Sequence, residues 1–192
     1  MKKIMLVAAL MLSSVATFAQ HAVGSFNIQP KVGLNIANLT DYSKSDARLG
    51  LVAGAEGEYQ ATDIVSVSAG LLYSMQGTKV NQSFVTVTQK LDYINIPITA
   101  NVYVVKGLAV KLGVQPGFKV SDVASVDASR ALNVALPGKA KSFDLSIPVG
   151  VSYEYNNFQL DARYNWGVTK VYEGSKVKNS VFQITLGYKF DL

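Results

Sequence analysis

The chain has 192 residues, 49% of them hydrophobic and only 16% charged, which excludes both a disordered chain and an ordinary charged soluble surface. It has no cysteine, so disulfide staples, thiol catalysis and thiolate metal sites are excluded together. The formal net charge of +5 falls to +3 if Lys2 and Lys3 leave with the leader described next; that is too mild for nucleic acid, and no basic run points there.

Residues 1–19, MKKIMLVAALMLSSVATFA, combine two lysines, an apolar run over 4–12 and small residues before Ala19. This reads as a secretory signal peptide cleaved after Thr17-Phe18-Ala19, with 20–192 as one domain. The apolar run is shorter than the roughly 20 residues a spanning helix needs. After residue 20 no run approaches that length, so any membrane crossing must use strands.

From there the chain alternates apolar and polar residues with a period of two, the pattern of strands with two unlike faces. In chain order the predicted strands are about 28–37, 49–60, 64–76, 91–104, 108–120, 143–155, 158–168 and 181–190. The clearest is FQLDARYNWGV at 158–168, where Phe158, Leu160, Ala162, Tyr164, Trp166 and Val168 alternate with Gln159, Asp161, Arg163, Asn165 and Gly167. Asn156-Asn157 reads as a two-residue primed turn, because Asn tolerates positive φ. It sets Tyr155 opposite Phe158 and therefore Arg163 opposite Gly150. The turns at 105–107 and 61–63 set Val104 opposite Leu108 and Gln60 opposite Ile64. Each keeps like faces together, which a one-residue slip would destroy. The other connections, about 38–48, 77–90, 121–142 and 169–180, are long and alternate strictly with the tight turns. The fold class this predicts is all-β, an eight-stranded antiparallel up-and-down transmembrane β-barrel.

The direction of the apolar face separates a membrane barrel from a soluble lipid-binding one, which would turn it inward. Here the apolar face carries large side chains, and its aromatics gather near two levels. Tyr59, Tyr155, Phe158, Tyr188 and Phe190 lie near the turn end, and Tyr73, Phe118, Phe143, Trp166 and Phe182 near the loop end, as in interfacial girdles. The polar face is rich in Gly, Ser and Asn and carries Lys31, Lys111, Lys119, Arg163 and Lys189 with Glu56, Glu58, Asp144, Glu154 and Asp161. Balanced charges in a narrow lumen read as structural ion pairs, with Lys31 and Lys189 set to reach Glu56 and Glu58 and with Arg163 reaching across from beside Gly150. Pro97, Pro116 and Pro148 inside strands read as bulges.

The segments KVGLN at 31–35, LLYSMQGTK at 71–79, LDYINIPI at 91–98, DARYNWG at 161–167 and FQITLGYKF at 182–190 resemble, in order, the PorT-like outer-membrane β-barrel family. The resemblance implies a small barrel in the cell outer membrane, and for some relatives an association with protein secretion. The chain's end, with Thr185, Gly187, Phe190 and Leu192, resembles the signal read by the barrel-insertion machinery, which would template the last strand's open edge.

No catalytic, cofactor or metal site is legible. His21, the only histidine, falls outside every strand beside the predicted mature start and reads as an incidental terminal residue. The expected role is structural or surface-interacting without catalysis, in contact with outer-membrane lipid, the insertion machinery during biogenesis and a surface or secretion partner through loops 77–90 and 121–142. The alternatives are a secretion-associated barrel and a soluble periplasmic lipid-binding barrel.

Overall fold

In a computed structural model, residues 21–40, 45–82, 85–127 and 140–192 are described. The predicted signal peptide lies outside them. Ten strand segments follow in order: β1 Phe26–Leu39, β2 Ser45–Gln60, β3 Val65–Gln82, β4 Val85–Asn95, β5 Ile98–Val105, β6 Leu108–Asp127, β7 Phe143–Tyr155, β8 Phe158–Gly167, β9 Asn179–Tyr188 and β10 Phe190–Asp191. All pairings are antiparallel. β4 and β5 share one place between β3 and β6, and β9 and β10 share another beside β1. The ladder therefore closes as an eight-stranded barrel, with β1 Leu34 opposite β9 Ile184.

The hairpin register follows the sequence closely. Tyr155 faces Phe158 and Gly150 faces Arg163. Asn156 and Asn157 take φ of 47° and 67°, the left-handed values that a primed turn demands. Two turns differ in detail from the prediction. Gln60 pairs with Ser66 rather than Ile64, a shift of two that keeps both side chains inward. Val105 rather than Val104 faces Leu108, with one irregular residue at the turn.

The prolines do not mark bulges. Leu72 faces Asn95 before Pro97 and Ala69 faces Ile98 after it, one register on both sides. Pro116 and Pro148 likewise pair in register with Leu145 and Asn165. Lacking an N–H, each proline removes a ladder bond without inserting a residue. The register shifts fall instead between Ala47 and Val52, between Asp92 and Tyr93, and between Tyr103 and Val105.

The apolar face points outward: Leu49 is 68% exposed and Trp166 60%, while Arg163 is 1% exposed. A soluble lipid carrier would need the reverse, so that alternative is set aside. All ten aromatics assigned to the girdles, Tyr59, Tyr73, Phe118, Phe143, Tyr155, Phe158, Trp166, Phe182, Tyr188 and Phe190, stand on this outward face, as do Phe26, Tyr153 and Tyr164.

The strands also run further than predicted at the loop end. A membrane strand needs about 9–11 residues, whereas β3 has 18 and β6 has 20. Ser45–Ala47 pair with Thr78–Val80, and Thr86–Asp92 pair with Ser121–Asp127. Much of the predicted loops 77–90 and 121–142 is thus a ribbon continuing the barrel wall. The rest of the predicted loop 121–142, residues 128–139, lies outside the described residues.

Candidate functional site

The strand alternation turns Lys31 (β1), Glu56 (β2), Lys111 (β6), Asp161 and Arg163 (β8) into the lumen, all 5% exposed or less. They meet at mid-depth although they come from four strands. Lys31 Nζ lies 2.7 Å from Glu56 Oε2, and Lys111 Nζ lies 2.7 Å from Asp161 Oδ2. Arg163 donates from Nε and Nη2 to both Asp161 oxygens at 2.8 and 2.6 Å, while its Nη1 stands 3.0 Å from Glu56 Oε1. Gly150, which faces Arg163 on β7, leaves the guanidinium room to lie across the lumen.

A second group closes the turn end. Lys189 Nζ pairs with Glu58 Oε2 at 2.9 Å and Glu154 Oε2 at 2.7 Å. Tyr103 and Ser66 hydroxyls both donate to Glu58 Oε1 at 2.6 Å. His21 corrects the sequence reading. It is not incidental: Nε2 lies 2.9 Å from Glu154 Oε1 and Nδ1 lies 3.2 Å from Asp191 Oδ1. Neutral imidazole donates from one nitrogen only, so two carboxylates select the imidazolium. The hydrogen bond to Glu154 accordingly raises the His21 pKa above its ordinary value of 6.5.

Lys119 and Asp144 join neither group. Lys119 pairs within its own strand, 2.6 Å from Asp122 at the rim. The register shift between Asp92, which faces Ser121, and Tyr93, which faces Lys119, leaves Val120 unpaired and brings these i and i+3 side chains to one side. Asp144 points inward and accepts from Thr169 Oγ1 at 2.8 Å, with no cation paired to it among the described residues.

Above the central group the lumen is filled by amides and hydroxyls. Asn35 Nδ2 and Gln76 Nε2 donate to Ser74 Oγ at 2.9 and 3.0 Å, and Asn165 Nδ2 donates to Gln183 Oε1 at 3.3 Å. The loop end is then covered by an apolar cluster that sequence reasoning missed, in which Val171, Tyr172 and Val177 bury against Leu39, Leu91 and Tyr93. Backbone bonds from Thr40 to Lys178 (2.9 Å), Lys141 to Val171 (2.7 Å) and Val171 to Val177 (2.8 Å) hold this segment over the mouth. The Tyr172 hydroxyl donates to Gln89 Oε1 at 2.5 Å. Three scattered apolar residues in a loop have no period, so nothing local announced the cap.

The residues of the insertion-signal reading lie along the closing edge. Thr185 is buried, Gly187 faces Lys31 on β1, and Phe190 and Leu192 are exposed. The Leu192 N–H donates to Phe26 carbonyl at 2.9 Å. Among the described residues no group of three His, Cys, Asp or Glu is arranged to hold a metal.

A closed eight-stranded wall, apolar outside and ion-paired inside, agrees with a family model for the outer membrane protein beta-barrel domain, which matches residues 18–173. The chain belongs to that family. The match reaches past β8, and β9 and β10 complete the family's barrel by pairing with β1. Among solved structures the chain is similar to Ail, the attachment invasion locus protein of Yersinia pestis, at 16% identity and a TM-score of 0.53, covering 88% of this chain and 100% of that one. It is also similar to Neisserial surface protein A, at 19% identity and a TM-score of 0.52, covering 86% and 97%. At such identities the likeness shows the fold alone. No curated protein matches the chain.

Proposed function

We propose that this member of the outer membrane protein beta-barrel domain family is a closed, non-catalytic, PorT-like barrel that acts through what it displays at the cell surface. The observation that carries the reading is the division of labour along the barrel axis. The lumen is occupied by ion pairs, amides and an apolar cap, while β3, β4 and β6 rise well past membrane height. An eight-stranded lumen has little more room than its own side chains fill. The ribbon formed by Thr78–Val80, Thr86–Asp92 and Ser121–Asp127 is then the partner-facing surface. Neisserial surface protein A, of like fold, is a surface protein by name, and Ail is named for attachment and invasion, which supports this orientation. Export through a signal peptide cleaved after Ala19 is part of the reading, supported by the two lysines, short apolar run and small residues of 1–19. So is delivery by the insertion machinery through Thr185, Gly187, Phe190 and Leu192.

The cysteine-free chain offers a clean test. Asp63→Cys in a tight turn and Lys79→Cys in the ribbon are treated with a membrane-impermeant maleimide on intact cells. Labelling of Lys79→Cys alone is the expected result; labelling of Asp63→Cys alone overturns the orientation. In planar bilayers the folded barrel is expected to show no stable open channel, and a steady conductance would replace this reading with a pore. The secretion-associated alternative has one observation in its favour, the exposed Val123 on the β6 extension, and takes second place.

A further inference from the structure

At the loop end of the β7–β8 hairpin, a cleft of about 510 Å³ opens on the outer wall, lined by Lys141, Ser142, Phe143, Val168, Thr169 and Lys170. Its geometry follows from how the two chain segments are tied. Val168 N–H donates to Leu145 carbonyl at 2.8 Å, Leu145 N–H donates to Thr169 Oγ1 at 2.8 Å, and Lys141 N–H donates to Val171 carbonyl at 2.7 Å. Alternation about Phe143 and Val168 puts Lys141 and Lys170 on the outward side, above them. Both lysines are exposed, and neither forms an ion pair with a described residue. The neighbouring carboxylate, Asp144, is turned into the lumen and held by Thr169 Oγ1. Glu173, three residues beyond Lys170, is exposed and does not line the cleft, and Lys176 and Lys178 follow it.

We propose that this cleft binds the phosphoryl headgroup of an outer-leaflet lipid, with the Lys141 and Lys170 ammonium groups on the phosphate and Phe143 and Val168 against the start of the acyl region. Two cations with no ion-pair partner among the described residues, set directly above an aromatic girdle, match the place where headgroup phosphates sit in a bilayer. The apolar floor favours a lipid over a free anion. Phe143, 46% exposed and edge-on to Phe118 at 5.7 Å, continues the lipid-facing wall without a break, and a soluble phosphate would gain nothing from it. The inference rests on the outer-membrane reading, with the loop end at the outer leaflet.

Trp166, the single tryptophan of the chain, stands two residues before Val168 on the same face and is 60% exposed, so it reports on the site. The mature chain, folded in zwitterionic micelles, is titrated with diphosphoryl lipid A, with the same lipid dephosphorylated, and with inorganic phosphate as competitor. A saturable change in Trp166 emission is expected with the phosphorylated lipid alone. The midpoint should weaken about twenty-five-fold in K141Q/K170Q, because each lysine near a charged surface contributes about fivefold. K141R/K170R should bind as wild type. Equal titration by dephosphorylated lipid, or no loss in the K141Q/K170Q variant, overturns the proposal, and full competition by millimolar phosphate reassigns the cleft to a free anion. Boiled and unboiled gel mobility establishes that each variant is folded. The two lipid titrations of the wild type decide the question even if a variant is not. The micelle assay does not depend on orientation, so a failed titration with normal surface labelling overturns this site alone.

Discussion

Replacing Glu56 with Gln tests whether the lumen is held by charge balance. The Glu56 carboxylate stands 2.7 Å from Lys31, 3.0 Å from Arg163 and 4.0 Å from Lys111, and Asp161 is the only other anion in the central group. The E56Q variant would leave three buried cations sharing one carboxylate. Stranding a buried charge costs about 3–5 kcal/mol, and with a urea slope of about 2 kcal/mol/M the unfolding midpoint should fall by about 2 M. Arg163→Met should cost less, about 2 kcal/mol for its charge-assisted hydrogen bonds, because Lys31 and Lys111 each retain a carboxylate at 2.7 Å. The decisive variant is the double substitution E56Q/K31M. It removes a second ionic partner, yet it restores the original excess of one cation and should recover about half of the loss. Unfolding in urea from lipid vesicles, followed by Trp166 emission and by the heat-modifiable gel band, measures all three. If E56Q/K31M is no more stable than E56Q, or if E56Q costs less than about 1 kcal/mol, water in the lumen screens these charges and the balance argument is wrong.

His21→Gln should reveal a pH-dependent latch at the turn end. The folded-state pKa of His21 is raised by Glu154, with Asp191 adding to and Lys189 opposing the effect. A raised folded pKa contributes stability that is full below the ordinary 6.5 and is lost as pH rises through the folded value. The wild-type advantage over H21Q should therefore be largest in acid and vanish in alkali, and urea midpoints across that range check the sign. At the β7–β8 turn, N156G/N157G should cost little beyond the Asn157 Nδ2 bond to the Lys189 carbonyl, whereas N156A/N157A should cost about 1–2 kcal/mol per residue more, because Ala has neither glycine's freedom nor the local polar bonds of Asn in the left-handed region. Equal midpoints for the two pairs would remove the turn from the account. On the closing seam, a Cβ on Gly33 would overlap the Ile184 carbonyl oxygen, so Gly33→Val should lower the yield of the compact gel form. Normal yield from that variant would mean that the β1–β9 seam has slack.

The parts of this barrel that touch lipid were legible in the sequence, because lipid on one side and a packed lumen on the other force every membrane residue to choose a face. That is why Asn156-Asn157 sufficed to set Arg163 opposite Gly150, and why Glu56, Glu58 and their lysines could be paired on paper. Legibility stopped where the membrane stopped. On the ribbon both faces leave the lipid, alternation loses its contrast, and Thr78–Gln82 and Ser121–Asp127 read as loops although they are strands. Lys119 keeps its inward parity, but its partner Asp122 was not foreseen, because the register shift that follows Lys119 carries Asp122 to the same side. His21 and the Val171–Tyr172–Val177 cap depend on closure of the ring, which brings residue 21 to Glu154 and the 171–177 segment to Leu39 and Leu91. No local pattern encodes a contact that exists only once β9 meets β1.

The same geometry explains why the interior is ionic. In lipid an apolar side chain gains little by leaving the outer wall for the lumen, so the hydrophobic effect does not choose the interior as it does in water. Directional bonds do that work. In a low dielectric a matched pair is strong and a mismatched one is costly, so the interlocked set of Lys31, Glu56, Lys111, Asp161 and Arg163 selects one strand register among several that the outward Val, Leu and Ile residues would tolerate. A slip between β1 and β2 that set Lys31 opposite Val52 instead of Gly54 would keep the outward apolar residues facing lipid but carry Lys31 two residues further from Glu56. The prediction that E56Q/K31M outperforms E56Q is a prediction about specificity as well as stability: E56Q should also populate misregistered, non-compact forms during folding, and the balanced double variant should not. Slow folding phases or a smeared unboiled band in E56Q, absent from E56Q/K31M, would be the sign that luminal charge sets the register.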